Sequence, residues 1–268
     1  MAWDKHKFIA RSKKIGYITL WSVLVVALFL SVSFINKQEK EVTCSAIKVS
    51  IEPTEAANFV DREMVLKTIR KDGNESKIIG LPINNIGIPW LEKKLCGNPM
   101  IKTAQVYSDM NGVLNIHITQ RRPILRIFNA FGESYYLDED GLKMPVSPDY
   151  TAHVPAASGF IFEHGTGRDS AQSPVGKALF KIATYVDKDT FWNAQIEQIF
   201  VTAESEITLI PSVGDQTIIF GDASDVEDKF KRLMLFYQEA MSRIGWNTYS
   251  SINVKYKNQI VCKKKISL

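Results

Sequence analysis

A chain of 268 residues that is 45% hydrophobic and carries ten prolines can build one large or two small globular domains and is too apolar to be disordered. Its formal charge of +4 is not spread over a surface. Lys5, Lys7, Arg11, Lys13 and Lys14 stand against Asp4 alone, and removing those six residues leaves 28 basic and 28 acidic ones, which argues against a nucleic-acid footprint over the folded part.

The basic tail, residues 1–14, runs into an uncharged stretch from Ile15 to Ile35. Twenty-one residues of helix span ~30 Å, the thickness of a bilayer core. A signal peptide would have a shorter apolar core and a small-residue cleavage site. Here "NKQEKEVTC" follows instead, so the reading is a retained transmembrane helix. The flanking charge predicts a cytoplasmic N-terminus and an exported remainder. That remainder holds Cys44, Cys96 and Cys262. Cys44 and Cys96 fall in one predicted domain and could pair; the alternative is three separate thiols.

Beyond the anchor, Ile47–Ile51 alternates as a strand. A helix follows, with Asp61 as its cap, Val65 and Ile69 on one face and Gly73 as its stop. A second helix has Pro89 in its first turn and Leu91 and Leu95 on one side. Residues 101–120 form a hairpin whose register can be worked out. A two-residue Asn111-Gly112 turn would split the apolar side chains between faces. A three-residue loop, Met110-Asn111-Gly112, sets Val106 opposite Ile116 and Ala104 opposite Ile118, with Gly112 left-handed and His117 on the polar face. Strand, helix, helix, strand, strand predicts a small α+β sheet over residues 44–122.

From Arg121-Arg122-Pro123 the pattern changes to short strands: "ILRIF", "SYYLD" and "LKMP". A helix follows with Ser173 as cap, Pro174 at its first position, and Val175, Leu179, Ile182 and Val186 inward. "IEQIFV", "ITLIP" and "TIIFG" read as further strands. The clearest helix begins with a Ser224/Glu227 capping box, carries a stripe of Val226, Phe230, Leu233, Tyr237, Met241 and Ile244, and stops at Gly245. The closing "SSINVKYKNQIVCKK" reads as a strand through Tyr256, a tight turn at Asn258-Gln259 and a last strand from Ile260.

Chemistry-bearing motifs fail on spacing. "HGTGRDS" lacks both phosphate-loop patterns, and "LDEDG" lacks the later ligands of a calcium loop. His153 and His164 have no partner at metal spacing, and neither do the cysteines. The residues therefore predict no catalytic, cofactor or metal site.

Four stretches, in order, resemble the FtsQ/DivIB family of bacterial division proteins: "WLEKKLCGNPMIKTAQVY", "ITQRRPILRIF…SYYLDEDGLKMP", "TIIFGD…VEDKFKRL" and "INVKYKNQIV". The resemblance implies a single transmembrane helix, a POTRA domain over 44–122 and a mixed, mostly antiparallel β domain over 123–265. It implies a non-enzymatic scaffold of the inner membrane at the septum, which binds FtsB- and FtsL-like coiled-coil proteins and, through them, helps recruit and regulate the septal peptidoglycan synthase complex. It further implies strand addition at the C-terminal edge. Ile260, Val261 and Cys262 would supply the ladder, bordered by Tyr256, Gln259, Lys263 and Lys264. Two other classes compete. A membrane-anchored wall enzyme or peptidoglycan receptor would need a pocket of convergent polar groups. A POTRA-bearing secretion factor would need further POTRA units or a barrel signal.

Overall fold

The protein is described here by a computed structural model over residues 20–31, 42–53, 58–69, 78–167 and 169–265. Residues 20–31 form helix α1, whose large apolar side chains are exposed, Phe29 by 74%. Among the described residues no helix is long and apolar enough to cross a membrane. Both ends of the predicted span, Ile15 and Ile35, lie outside the described residues.

The first sheet has three strands in the order β1-β3-β2, namely β1 (Ala46–Ile51), β2 (Ile101–Ser108) and β3 (Val113–Gln120), with β1 parallel and β2 antiparallel to β3. Helices α2 (Arg62–Ile69) and α3 (Ile88–Leu95) connect β1 to β2 and bury Val65, Ile69, Leu91 and Leu95. Asp61 caps α2 as expected, its Oδ1 accepting from Met64 N at 2.6 Å; the stop assigned to Gly73 lies outside the described residues. The hairpin has the predicted register. Val106 faces Ile116, Ala104 faces Ile118, and Gly112 has φ +77°. Ala104, Val106, Leu114, Ile116 and Ile118 are all buried, which is why burial selects this register over its neighbour. His117 stands half-exposed beside Glu52, 3.4 Å away.

The second sheet has nine strands in the order β12-β11-β10-β9-β8-β7-β4-β5-β6. They are β4 (Pro123–Phe128), β5 (Ser134–Asp138), β6 (Lys143–Pro145), β7 (Ala156–Gly159), β8 (Ile196–Val201), β9 (Ile207–Pro211), β10 (Thr217–Gly221), β11 (Tyr249–Asn253) and β12 (Val261–Lys264). Helices α4 (Pro174–Lys188), α5 (Thr190–Gln195) and α6 (Val226–Phe236) cover one face, where Leu125, Leu179, Trp192, Ile199, Leu209, Phe220, Phe230 and Ile252 form the core. Ser173 caps α4 as expected, its Oγ accepting from Gly176 N. The α+β class holds in both sheets.

The junction between the sheets is ionic and tight. Arg121 reaches the buried Asp138 at 2.7 Å. Arg122 donates both terminal nitrogens to Asp187, at 2.6 and 2.8 Å, and Lys102 of β2 meets Glu139 and Asp140. Gln120 Oε1 accepts from Phe59 N and Val60 N, and the Phe59 ring lies edge-on to Tyr136 of β5. The Arg-Arg-Pro stretch read as a boundary is also a bolt.

One strand goes beyond the sequence reading, and two expectations fail. The run Ala156–Gly159 carries no strand signal, yet it pairs in parallel with both β4 and β8. Its small side chains have little intrinsic strand preference, and its two neighbours impose the conformation. The Ser224/Glu227 capping box does not form. Ser224 turns its amide and hydroxyl to Asp222 Oδ1, and Asp225, at φ +46°, leads into α6 without a side-chain cap. The stripe is buried through Met241, but Ile244 is 43% exposed. A π-helical stretch, Tyr237–Met241, inserts after α6 and turns the following residues off the core face.

Asp222 is the anchor of this region. Lys229, only 3% exposed, donates to its carbonyl and to its carboxylate at 2.9 and 2.8 Å and sits 4.9 Å from the Phe220 ring centre. The Lys229 ammonium, helped by Ser224, holds the Asp222 carboxyl well below the usual carboxylate range. A depressed folded-state value stabilises the fold above the ordinary value near 3.8 and is lost as pH falls through it. Asp222→Asn therefore lowers the melting temperature at pH 7, and the gap to the unmodified protein closes between pH 4 and lower values; a pH-independent gap would contradict this.

Candidate interaction edge at the C-terminal strand

The two ends of the large sheet differ. At one end β6 is three residues long and finishes on Pro145. Its outer side is occupied, since Lys143 N donates to Asp169 O and Leu142 bridges to Ser170. At the other end β12 is the last strand. It pairs antiparallel with β11, Asn253 opposite Val261 and Ile252 opposite Cys262, with a bulge near Ser250.

The phase of that ladder decides which groups are free. Lys265 N donates to Thr248 O at 3.0 Å, and Ser250 Oγ donates to Lys263 O at 3.1 Å, so Lys263 and Lys265 turn their main chain toward β11. Along an antiparallel strand successive residues turn their N–H and C=O to opposite sides. Val261 therefore faces inward with them, and Cys262 and Lys264 present their N–H and C=O outward. The edge offers two residues of open ladder, a spacing one added strand can pair with.

The side chains divide across the two faces. Cys262 lies opposite the buried Ile252 and packs on the helix-covered core, where burial pushes its thiol up. Val261 is 50% exposed on the other face, and Lys263 and Lys264 are exposed. Ile260 packs on the core just before β12, outside the ladder that was assigned to it.

The tight turn at Asn258-Gln259 is also corrected. β11 ends at Asn253, and residues 254–260 form a longer connection that carries Tyr256 and Gln259 away from the ladder. Val254 is fully buried there, its amide donating to Ile219 O of β10. The connection is pinned by a residue the sequence reading missed. Arg232 of α6 donates Nη1 to Tyr256 O and Gln259 O, at 2.5 and 3.0 Å, and Nη2 to Val254 O at 3.2 Å. Only its place outside the α6 apolar stripe could have drawn attention to it. Ion pairs of Lys255 with Glu206, Lys257 with Asp225 and Lys265 with Asp215 tie the same hairpin down.

Tyr256 and Gln259 thus meet at Arg232, Val261 to Lys264 make the edge, and Ile260 links the two groups. All three cysteines stand as free thiols, Cys44 buried, and Cys44 and Cys96 are not joined. Among the described residues no cluster of three or more His, Cys, Asp or Glu could hold a metal ion.

Two family models match these two sheets. A POTRA-like domain covers residues 42–119, and the family described as FtsQ/DivIB, C-terminal related covers residues 122–263, more than half the chain. The chain belongs to the FtsQ/DivIB C-terminal related family. The second match runs from the Arg122 junction to Lys263 in β12, so it takes in all of the edge strand but Lys264. Among curated proteins the chain is similar to the cell division protein FtsQ of Rhodothermus marinus, 26% identical over 176 residues. That alignment takes in 64% of this chain and spans 63% of the relative's length.

Proposed function

We propose that this chain is a non-enzymatic scaffold of bacterial cell division. The apolar run from Ile15 to Ile35 anchors it in the inner membrane with the basic tail in the cytoplasm. Its two folded units stand outside, at the septum. It captures FtsB- and FtsL-like coiled-coil proteins by strand addition at β12 and through them helps recruit and regulate the septal peptidoglycan synthase complex. The observation that carries this reading is the contrast between the ends of the large sheet: β6 is short and occupied, whereas β12 turns two residues of ladder outward. Membership of the division family and the exposed apolar side chains of α1 support it. The lysines at the edge suit an acidic partner segment and speed its encounter. The test is co-purification of the tagged full chain from solubilised membranes of its host. Division coiled coils in the eluate, lost when residues 261–268 are deleted, are the expected result. Wall fragments or secretion components in their place overturn the reading.

A further inference from the structure

The POTRA-like unit gathers exposed apolar side chains where the chain enters it. Thr43 bridges to Pro82, Cys44 N donates to Leu81 O, and Gly80 N donates to Cys44 O, so residues 42–44 lie against 80–83. The tip of the β2–β3 hairpin closes on the same place, with Ser45 N and Oγ donating to the carbonyls of Gly112 and Asn111. Around this pole Met110 is 94% exposed, Ile79 45% and Leu81 40%. Leu81 also lines a groove of about 630 Å3 with Ile69, Ile78, Ile86 and Trp90. Trp90 is half-exposed, and the Lys94 ammonium lies 5.0 Å from its ring centre.

We infer that this pole docks onto the lipid surface that holds the anchor; the inference rests on the membrane reading proposed above. Seven peptide steps separate Ile35 from Val42, a reach of at most ~25 Å. The pole is the part of the unit nearest the end of that tether. A short tether makes even a weak contact well populated, because the lipid is always at high local concentration. The side chains match the chemistry of the headgroup boundary. Met110, Ile79 and Leu81 enter the acyl margin, Trp90 is of the type enriched at membrane interfaces, and Lys94 reaches the level of the anionic headgroups. Neighbouring apolar side chains left exposed on a folded domain mark a surface that is covered in use. The large-sheet unit also exposes apolar side chains, a contacting group of Phe131, Phe160 and Phe162 and the separate Val213, but no tether enters beside either.

The test places a photo-crosslinking benzophenone amino acid, one site at a time, at Met110, Leu81, Val26 or Val213 of the full chain. The protein is reconstituted in vesicles of phosphatidylethanolamine and phosphatidylglycerol, and adducts are read by mass. Phospholipid adducts at Met110 and Leu81, at several times the Val213 yield and alongside adducts at Val26 of α1, are expected. Adducts at Val26 but only background at Met110 and Leu81 overturn this inference alone. Adducts of Met110 or Leu81 to a second copy of the chain overturn the lipid as occupant. Background yield at all four sites overturns the anchor, and the docking with it.

Discussion

Cys262→Pro weakens partner capture by roughly 10–100-fold and leaves the β domain folded, whereas Val261→Pro loosens the terminal hairpin itself. The difference follows from the phase of the β11–β12 ladder. Proline removes a donor and fixes φ, and its effect depends on which way that donor points. The Val261 amide turns inward to β11, opposite Asn253, so proline there removes a bond the fold already uses. The Cys262 amide turns outward, so proline there removes a bond that only an added strand would make. The lost hydrogen bond and the ring's intrusion on the incoming strand together cost about 1.5–3 kcal/mol, roughly 10–100-fold in Kd. Cys262→Ala isolates the main chain, since it gives up the same side-chain packing but keeps the N–H; it binds normally. Affinity for the purified coiled-coil partner, beside far-ultraviolet circular dichroism, reads both effects. Equal binding by Cys262→Pro and Cys262→Ala would show that the partner docks elsewhere.

Which groups of this edge are available was only partly legible in the sequence. Alternation and lysines mark a terminal strand, and the strand is there. Its phase, however, depends on the bulge near Ser250 and on the point where β11 ends, and both are tertiary facts. Val254 continues the alternation of the buried Ile252, its amide donating to Ile219 O, but Tyr256, next in the same pattern, is 48% exposed and lies beyond the end of β11. Arg232 illustrates the same limit. Its three acceptors are main-chain carbonyls more than twenty residues away, and no side-chain pattern reports a carbonyl. β7 was hidden for a related reason, because Ala, Ala, Ser and Gly become a strand only between β4 and β8. The hairpin of the small sheet was readable because one face is wholly buried, so a single register satisfied every apolar residue at once. At α6 the local signal pointed the wrong way. A capping box is a preference worth about 1 kcal/mol, and Asp222 with the buried Lys229 outbids it for the Ser224 hydroxyl.

Gly112→Ala is the most destabilising single-methyl change expected in the small sheet, and Gly132→Ala is its control. Both glycines have left-handed backbones, φ +77° and +81°. A side chain pays about 1–2 kcal/mol for that conformation at either place. The surroundings differ. A Cβ on Gly132 meets nothing within 4 Å, whereas one on Gly112 falls 2.1 Å from the carbonyl oxygen of Thr43, which is backbone and held by its own bridge to Pro82. The hairpin tip and the segment where the chain enters the unit can therefore approach only while position 112 has no side chain. Gly132→Ala should cost about 1 kcal/mol and Gly112→Ala about 2–4 kcal/mol, the excess measuring the close approach. Urea unfolding of the full chain in detergent, followed by a probe in each sheet, separates the two. Equal losses would mean that the tip yields to the methyl group without cost. A larger loss at Gly112, confined to the small sheet, would show that the tip and residues 42–45 are one rigid pole, the geometry that membrane docking by Met110 and Leu81 requires.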